Sequence, residues 1–334
     1  MEKKIKALAL FSGGLDSALA VKVVKDQGVE VIGLNFVSHF FGGKNEKAES
    51  MAKQLGIQLE YIDFKKRHTD MMQNPVYGRG KNMNPCIDCH SLMFKIAGEL
   101  LEKYDAQFVI SGEVLGQRPM SQNSAALEKV KALSGMDDLI LRPLSAKLLP
   151  PSRAEIEGWV DREKLLDIQG RSRAVQMELT EKYGLVEYPT PGGGCLLTDP
   201  AYSDRLEIIE KDGLMDEEHS YLFHLIKKTR FYRLGERKYL FIGRDEEGNS
   251  RIEEYKEKGT LHVAGYKIGG PRILGYGDFT DEDKKFVVEL FSRYSKVKGK
   301  SEIEVRLNNQ IVKVAPVDIE EIERKIKEYQ VVAQ

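Results

Sequence analysis

Four short apolar runs, Ile5–Phe11, Val29–Val37, Gln58–Phe64 and Gln107–Ser111, alternate with stretches of helical spacing such as Leu15–Asp26, Lys44–Leu55 and Ser91–Tyr104. Each run is rich in Val, Ile, Leu or Phe and too short for a typical helix. Strands that are apolar throughout must be covered on both faces, which a parallel sheet between two helix layers achieves. The expected fold class is therefore α/β, a doubly wound parallel sheet. Gly28 and Gly56 fall where helix C-caps belong. Ligands of such sheets bind beyond the C-terminal ends of the strands, and the first run ends in "SGGLDS", Ser12 to Ser17.

The pattern changes further along. Pro143 to about Gly184 reads as helical, with Ser152 placed to cap a helix, and "YPTPGGGCLLTDP" then reads as an irregular loop. Another helical stretch follows Pro200, and "FYRLGERKYLFIGR", "GTLHVAGYKIGG" and "SEIEVRLNNQIVKVAP" read as strand-like pieces. The expected division is 1–200, a helical connector 201–227, and a small C-terminal α+β domain 228–334. A net charge of −1 over 334 residues gives no global argument for nucleic acid, so such binding needs a local patch. No apolar run approaches the length of a membrane span, and the start is too short for a signal peptide, so a cytoplasmic location is expected. The three cysteines, Cys86, Cys89 and Cys195, cannot all pair within one chain; in a reducing compartment they bind metal or do chemistry.

A glycine loop between strand and helix offers free backbone N–H groups and the positive helix end to an anion. "SGGLDS" has no Lys-Ser/Thr pair and no G-x-G-x-x-G spacing, so it is neither common phosphate motif. The plain alternative is a tight strand–helix turn with Ser12 or Asp16 as a cap. A carboxylate beside phosphates needs a divalent cation between them, which makes Asp16 a candidate Mg²⁺ ligand. The hexapeptide resembles the signature of the PP-loop ATP pyrophosphatases, of the adenine nucleotide alpha hydrolase-like fold. That resemblance implies ATP held at its phosphates by Ser12, Gly13, Gly14, Asp16 and Ser17. It also implies an adenine bordered by the end of the second strand around Phe36, and makes 1–200 the ATP-binding catalytic domain. The family includes amidating synthases, a lysidine synthase, a nitrile synthase and tRNA sulfur-insertion enzymes, so the reaction must be read from other residues.

"NPCIDCHSLMFKIAGEL" puts Cys86 and Cys89 at the start of a helix, where the helix end favours thiolates. The C-x-x-C-H spacing is also a haem attachment pattern, which requires export. Zn²⁺ held by Cys86, Cys89, Cys195 and His90 is chemically open. With Cys195, the set is similar to the iron–sulfur-dependent tRNA thiolation enzymes. There, three cysteines hold a 4Fe–4S cluster and leave one iron open for sulfide. The same positions resemble the persulfide pair of cluster-free tRNA 2-thiouridylases; the third thiol favours the cluster. "ISGEVLGQRPMSQNSAALEKV" resembles a segment of tRNA 4-thiouridine synthetases, which implies that Gly112, Glu113, Gly116, Gln117 and Gln122 line the site.

For RNA, "KKTRFYRLGERKYLFIGR" interleaves cations, among them Lys227, Lys228, Arg230 and Arg233, with Phe231, Tyr232, Tyr239 and Phe241. It reads equally as an amphipathic strand pair with its rings turned inward. The segment resembles the RNA-binding module of ribosome quality-control proteins. Arg171 and Arg173 are candidates for a phosphate of ATP or of tRNA. The resemblances together imply an ATP-dependent tRNA thiouridine synthase with tRNA as partner. Its sulfur would come from free sulfide or from a cysteine desulfurase or sulfur carrier, and related enzymes often form homodimers. The rival is a PP-loop amidating or nitrile-forming synthase with structural zinc.

Overall fold

A computed structural model describes residues 4–186, 188 and 195–332. The chain divides into two compact units, Met1–Cys195 and Leu196–Gln334.

In the first unit the elements run β1 (Lys6–Leu10), α1 (Leu15–Lys25), β2 (Glu30–Val37), α2 (Glu46–Leu55), β3 (Gln58–Asp63), α3 (Lys65–Gln73), α4 (Cys86–Glu99), α5 (Leu101–Tyr104), β4 (Phe108–Ser111), α6 (Ser124–Ser134), β5 (Ile140–Leu141), α7 (Arg153–Ile156) and α8 (Ala174–Tyr183). The strands form one sheet in the order β3-β2-β1-β4-β5, and every pairing is parallel. This is the expected doubly wound sheet. The alternation of strand side chains divides the core in two. Ala7, Ala9 and Phe11 pack with α1 and α2 on one face, while Leu8, Ile32 and Leu34 pack with Phe94 and Ala97 of α4 on the other. The order of connection reverses between β1 and β4, which opens a crevice at their C-terminal ends.

Two local readings need correction. Gly56 is the left-handed C-cap of α2, but α1 is capped by Asp26, with Gly28 two residues beyond. Pro143 to Gly184 is not a helical stretch. Pro150, Pro151 and the positive-φ glycines Gly158 and Gly170 break it into short turns, α7 and α8, although Ser152 does form a capping box with Glu155. Of the expected loop at residues 188–200, residues 189–194 lie outside the described residues.

The second unit comprises α9 (Pro200–Lys211), α10 (Ser220–Lys228), β6 (Thr229–Gly235), β7 (Lys238–Gly243), α11 (Glu246–Glu254), β8 (Leu261–Gly265), β9 (Ile273–Tyr276), α12 (Asp281–Tyr294), β10 (Ile303–Leu307), β11 (Gln310–Val314) and α13 (Ile319–Tyr329). Its sheet is antiparallel, in the order β11-β10-β8-β9-β7-β6. Tyr232, Leu240, Ile242 and Val263 pack with Phe286, Leu290 and Ile322 of α12 and α13. The helices expected as a connector belong to this unit. The Tyr202 hydroxyl donates to the Phe223 carbonyl at 3.1 Å, and Arg205 donates to the Ile226 carbonyl at 2.8 Å. No helix among the described residues is long and apolar enough to cross a membrane.

Candidate active site

The loop after β1 is shaped by what surrounds it. Gly13 has φ +77°, and a Cβ there would stand 2.5 Å from the Ala48 Cα at the start of α2. Asn45 fixes that start by accepting from the Lys47 and Ala48 amides at 3.1 and 3.4 Å. Gly14 is the N-cap of α1, and its amide donates to Ser12 Oγ at 3.3 Å. Ser17, buried, donates to the Gly14 carbonyl at 2.8 Å. From β4, Gly112 presses on the same loop, since a Cβ at Gly112 would lie 2.5 Å from the Ser17 amide nitrogen. Ser12, Gly13, Gly14, Ser17 and Gly112 therefore meet at the crevice between β1 and β4.

Asp16 sits in the first turn of α1. Its Oδ2 accepts from Gln117 Nε2 at 2.9 Å and from Arg173 at 2.8 Å. Gln176 Nε2 in turn donates to Gln117 Oε1 at 3.4 Å. The Asp16 Oδ1 is buried with no hydrogen-bond partner, as are Asn35 Oδ1, Gln122 Oε1 and Gln176 Oε1. Buried acceptors normally find a donor, so their orphaning around Asp16 and the end of β2 fits a ligand that supplies donors or a cation. Phe36 is 6% exposed and meets Phe64 edge-on at 5.3 Å, so it offers little free ring surface. Arg171 is exposed and Arg173 half-buried, so only Arg173 joins the loop.

Glu113, at the end of β4, ties this crevice to the cysteine helix. Its Oε2 accepts from Arg142 Nε at 2.8 Å and from Ser111 Oγ at 3.2 Å, while Oε1 meets His90 Nδ1 at 2.7 Å. Burial pushes the Glu113 carboxyl up, but Arg142 and His90 outweigh it and hold the pKa at about 2. Arg142 also lies over the Phe94 ring, 5.7 Å from its centroid. Sequence reasoning passed over Arg142, although a lone Arg directly after the apolar pair Ile140–Leu141 demands a buried carboxylate. His90, left open as a fourth zinc ligand, has its Nδ1 committed to Glu113.

α4 begins at Cys86, and Asp88 folds back to accept from the Val76 and Tyr77 amides at 2.5 and 3.1 Å. The helix end was expected to favour thiolates. Burial wins instead. It pushes the Cys86 thiol up against the Asn84 Nδ2 hydrogen bond to Sγ at 3.4 Å and the charge of Arg118. Cys89 is pushed well up by burial and by the charges of Cys195, Cys86 and Asp88. Cys86 and Cys195 thus both lie near enough to Cys89 for their charges to act on it. No group of three or more His, Cys, Asp or Glu among the described residues stands in position to hold a single metal ion. Arg118, which follows Gln117, is a cation that the motif reading did not single out.

Residues 3–156 match the family described as "Thiamine biosynthesis protein (ThiI)". The first unit carries a ThiI-family PP-loop domain. Residues 229–326 match the NFACT protein RNA binding domain, so the second unit carries that module. A tRNA-specific 2-thiouridylase of Fusobacterium nucleatum is 31% identical over 113 residues, covering 32% of this chain and 33% of that protein. A probable tRNA sulfurtransferase of Thermococcus kodakarensis is 30% identical over 170 residues, 49% of this chain and 39% of that protein. A 4-thiouridine synthetase solved with RNA and ATP aligns over 54% of this chain and 50% of that chain, at 22% identity and a TM-score of 0.35. The chain spans only 33% and 39% of the two curated relatives' lengths. In the PP-loop domain, Ser12, Gly13, Gly14, Asp16, Ser17, Gly112, Gln117 and Arg173 are brought together. In the NFACT module, the rings of Phe231, Tyr232, Tyr239 and Phe241 are fully buried, so the inward-packing reading of that segment holds and the base-stacking one does not.

Proposed function

We propose that this protein is an ATP-dependent tRNA sulfurtransferase that adenylates a uridine carbonyl oxygen, releases pyrophosphate, and replaces the oxygen with sulfur. The observation that carries the reading is the link between a PP-loop glycine turn and a thiol helix, made by Gly112 against Ser17 and by Glu113 on His90.

Ser12, Gly13, Gly14 and Ser17 bind the ATP phosphates with backbone N–H groups and hydroxyls at the N-terminus of α1. Asp16 would hold Mg²⁺, for which its buried, unpartnered Oδ1 is a suitable hard donor. Gln117 and Arg173 orient Asp16 through the other oxygen. Phosphate groups arriving beside them give Arg173 a second anion to neutralise. The crevice wall contributed by Gly112 stays open because no side chain fits there.

Cys86, Cys89 and Cys195 would hold a 4Fe–4S cluster through three irons. A buried thiol raised by two neighbouring thiols fits a group that supplies compensating positive charge, and the set lacks the compact arrangement a single zinc requires. When bound, the cluster supplies an open iron for sulfide. Sulfide attack on the activated carbon then displaces AMP, and the buried surroundings of Cys89 keep water from competing. A flipped-out uridine reaches such a crevice more readily from a tRNA loop or end than from a duplex.

The test is nucleoside mass spectrometry of tRNA from a deletion strain, with tRNA-dependent pyrophosphate release measured on the anaerobically purified protein. Loss of one thionucleoside, and loss of pyrophosphate release in Asp16→Asn, are expected. An unchanged thionucleoside profile overturns the reading. Iron and sulfide analysis of the same preparation decides the cluster separately.

A further inference from the structure

Basic residues in the NFACT module divide into those the fold uses and those it leaves free. Along β6 and β7 they are used. Lys228 pairs with Glu247 at 2.8 Å, Arg233 with Asp212 at 2.8 Å, and Arg230 donates to the Gly243 carbonyl at 3.1 Å while lying over the Tyr294 ring. Of the four cations expected there for RNA, Lys227 alone is exposed without such a role.

Two other loops behave differently. The β8–β9 connection carries Tyr266, Lys267, Gly269 and Gly270, and the α12–β10 connection carries Lys296, Lys298 and Lys300. They form one surface. The Lys296 amide donates to the Gly269 carbonyl at 3.4 Å, and Lys296 Cε lies 3.1 Å from where a Gly269 Cβ would stand. Gly270 rests on the Phe291 ring, 2.6 Å from its would-be Cβ. All four lysines are exposed, and among the described residues none forms an ion pair. Arg272 and Arg293, which border the same loops, are instead paired with Glu253 and Glu323, and nearby Glu302 is taken by Lys313.

The backbone adds an independent sign. Lys267 has φ +57° and Lys298 φ +53°, a left-handed conformation that Gly or Asn adopts at less cost. Strain of this kind persists where a side chain's chemistry matters more than the backbone's comfort.

We propose that this two-loop surface is where the second unit grips the sugar–phosphate backbone of tRNA, an assignment that rests on the tRNA reading above. Lys267, Lys296, Lys298 and Lys300 neutralise phosphates. The bare Gly269–Gly270 backbone lets the strand approach closely. Tyr266, half-buried with the Lys267 ammonium 5.1 Å from its ring centroid, offers a face to an unstacked base.

The experiment measures tRNA affinity of the full chain as a function of salt, for the unmodified protein and for a Lys267→Gln, Lys296→Gln, Lys298→Gln, Lys300→Gln variant. Every phosphate left without its lysine lowers the slope of log K against log salt by about one, so a fall of about three to four is expected, with ATP affinity unchanged. Lys→Arg at the same four positions should restore the slope. Lys267→Gly with Lys298→Gly guards against a folding artefact, because glycine suits both positions. That variant should keep its thermal stability and lose about two in slope. tRNA binding whose slope the glutamine variant leaves unchanged overturns the surface alone. Absence of tRNA binding by the unmodified chain overturns the tRNA reading and the surface with it.

Discussion

Gly112 shows how a single position without a side chain couples two strands. A Cβ there would meet backbone atoms of Asp16 and Ser17 at 2.5 Å, and backbone has no rotamer with which to retreat. Gly112→Ala should therefore displace the turn itself. Its expected cost is about 1–3 kcal/mol in urea-induced unfolding, as for other overpacked sites, together with a loss of ATP binding measurable by titration calorimetry. Glu113 is the second residue on which the site depends. Its pKa, held at about 2 against an ordinary carboxyl value of 4.5, makes its contribution to stability full above about pH 4.5 and lost as the pH falls towards 2. Glu113→Gln should flatten that acid limb. It should also cost about 3–5 kcal/mol at neutral pH, because it strands the buried Arg142 charge; chemical denaturation across the pH range measures both.

At the scale of elements, the caps set the site's precision. Asn45 fixes where α2 begins, and the first turn of α2 is what Gly13 packs against. Asn45→Ala should destabilise the first unit by about 0.5–2 kcal/mol and weaken nucleotide binding although Asn45 lies on α2 rather than on the phosphate loop; a thermal melt with and without ATP reads both effects. α4 was legible as a helix headed by two cysteines, but the state of those thiols was not. A helix end acts on a thiol within one turn, whereas the burial of Cys89 in a core with Leu8, Leu34 and Val109 depends on strands from other parts of the chain. The same reason separates the two readings of "RFYRLGERKYLF". A strand's alternation says that one side is covered, but here both faces of β7 are buried and the adjacent rings Phe231 and Tyr232 of β6 are buried as well, which only packing shows.

For the molecule as a whole, the division after Cys195 has a consequence for dissection. Residues 196–334 include α9 and α10, whose Leu222, Phe223, Leu225 and Ile226 are fully buried. A chain of residues 196–334 should fold alone, with a cooperative thermal transition by near-ultraviolet circular dichroism. One starting at 228, the boundary expected from sequence, should not, since each of those side chains contributes about 1.5–3 kcal/mol by burial. Cooperative melting of both fragments would show the helices to be a dispensable connector after all.

By itself the sequence determined the parallel sheet, the glycine turn at its first strand and the three thiols, and it carried a resemblance to an RNA-binding module in the C-terminal part. These follow from periodicity and short-range motifs, which are local properties of the chain. Only the tertiary structure decided that Arg142 and His90 share Glu113, that burial lifts Cys86 and Cys89, and that four exposed lysines without ion pairs gather on the β8–β9 and α12–β10 loops. Each of those depends on which groups solvent can reach and which charges meet between segments far apart in the chain, and folding alone settles both.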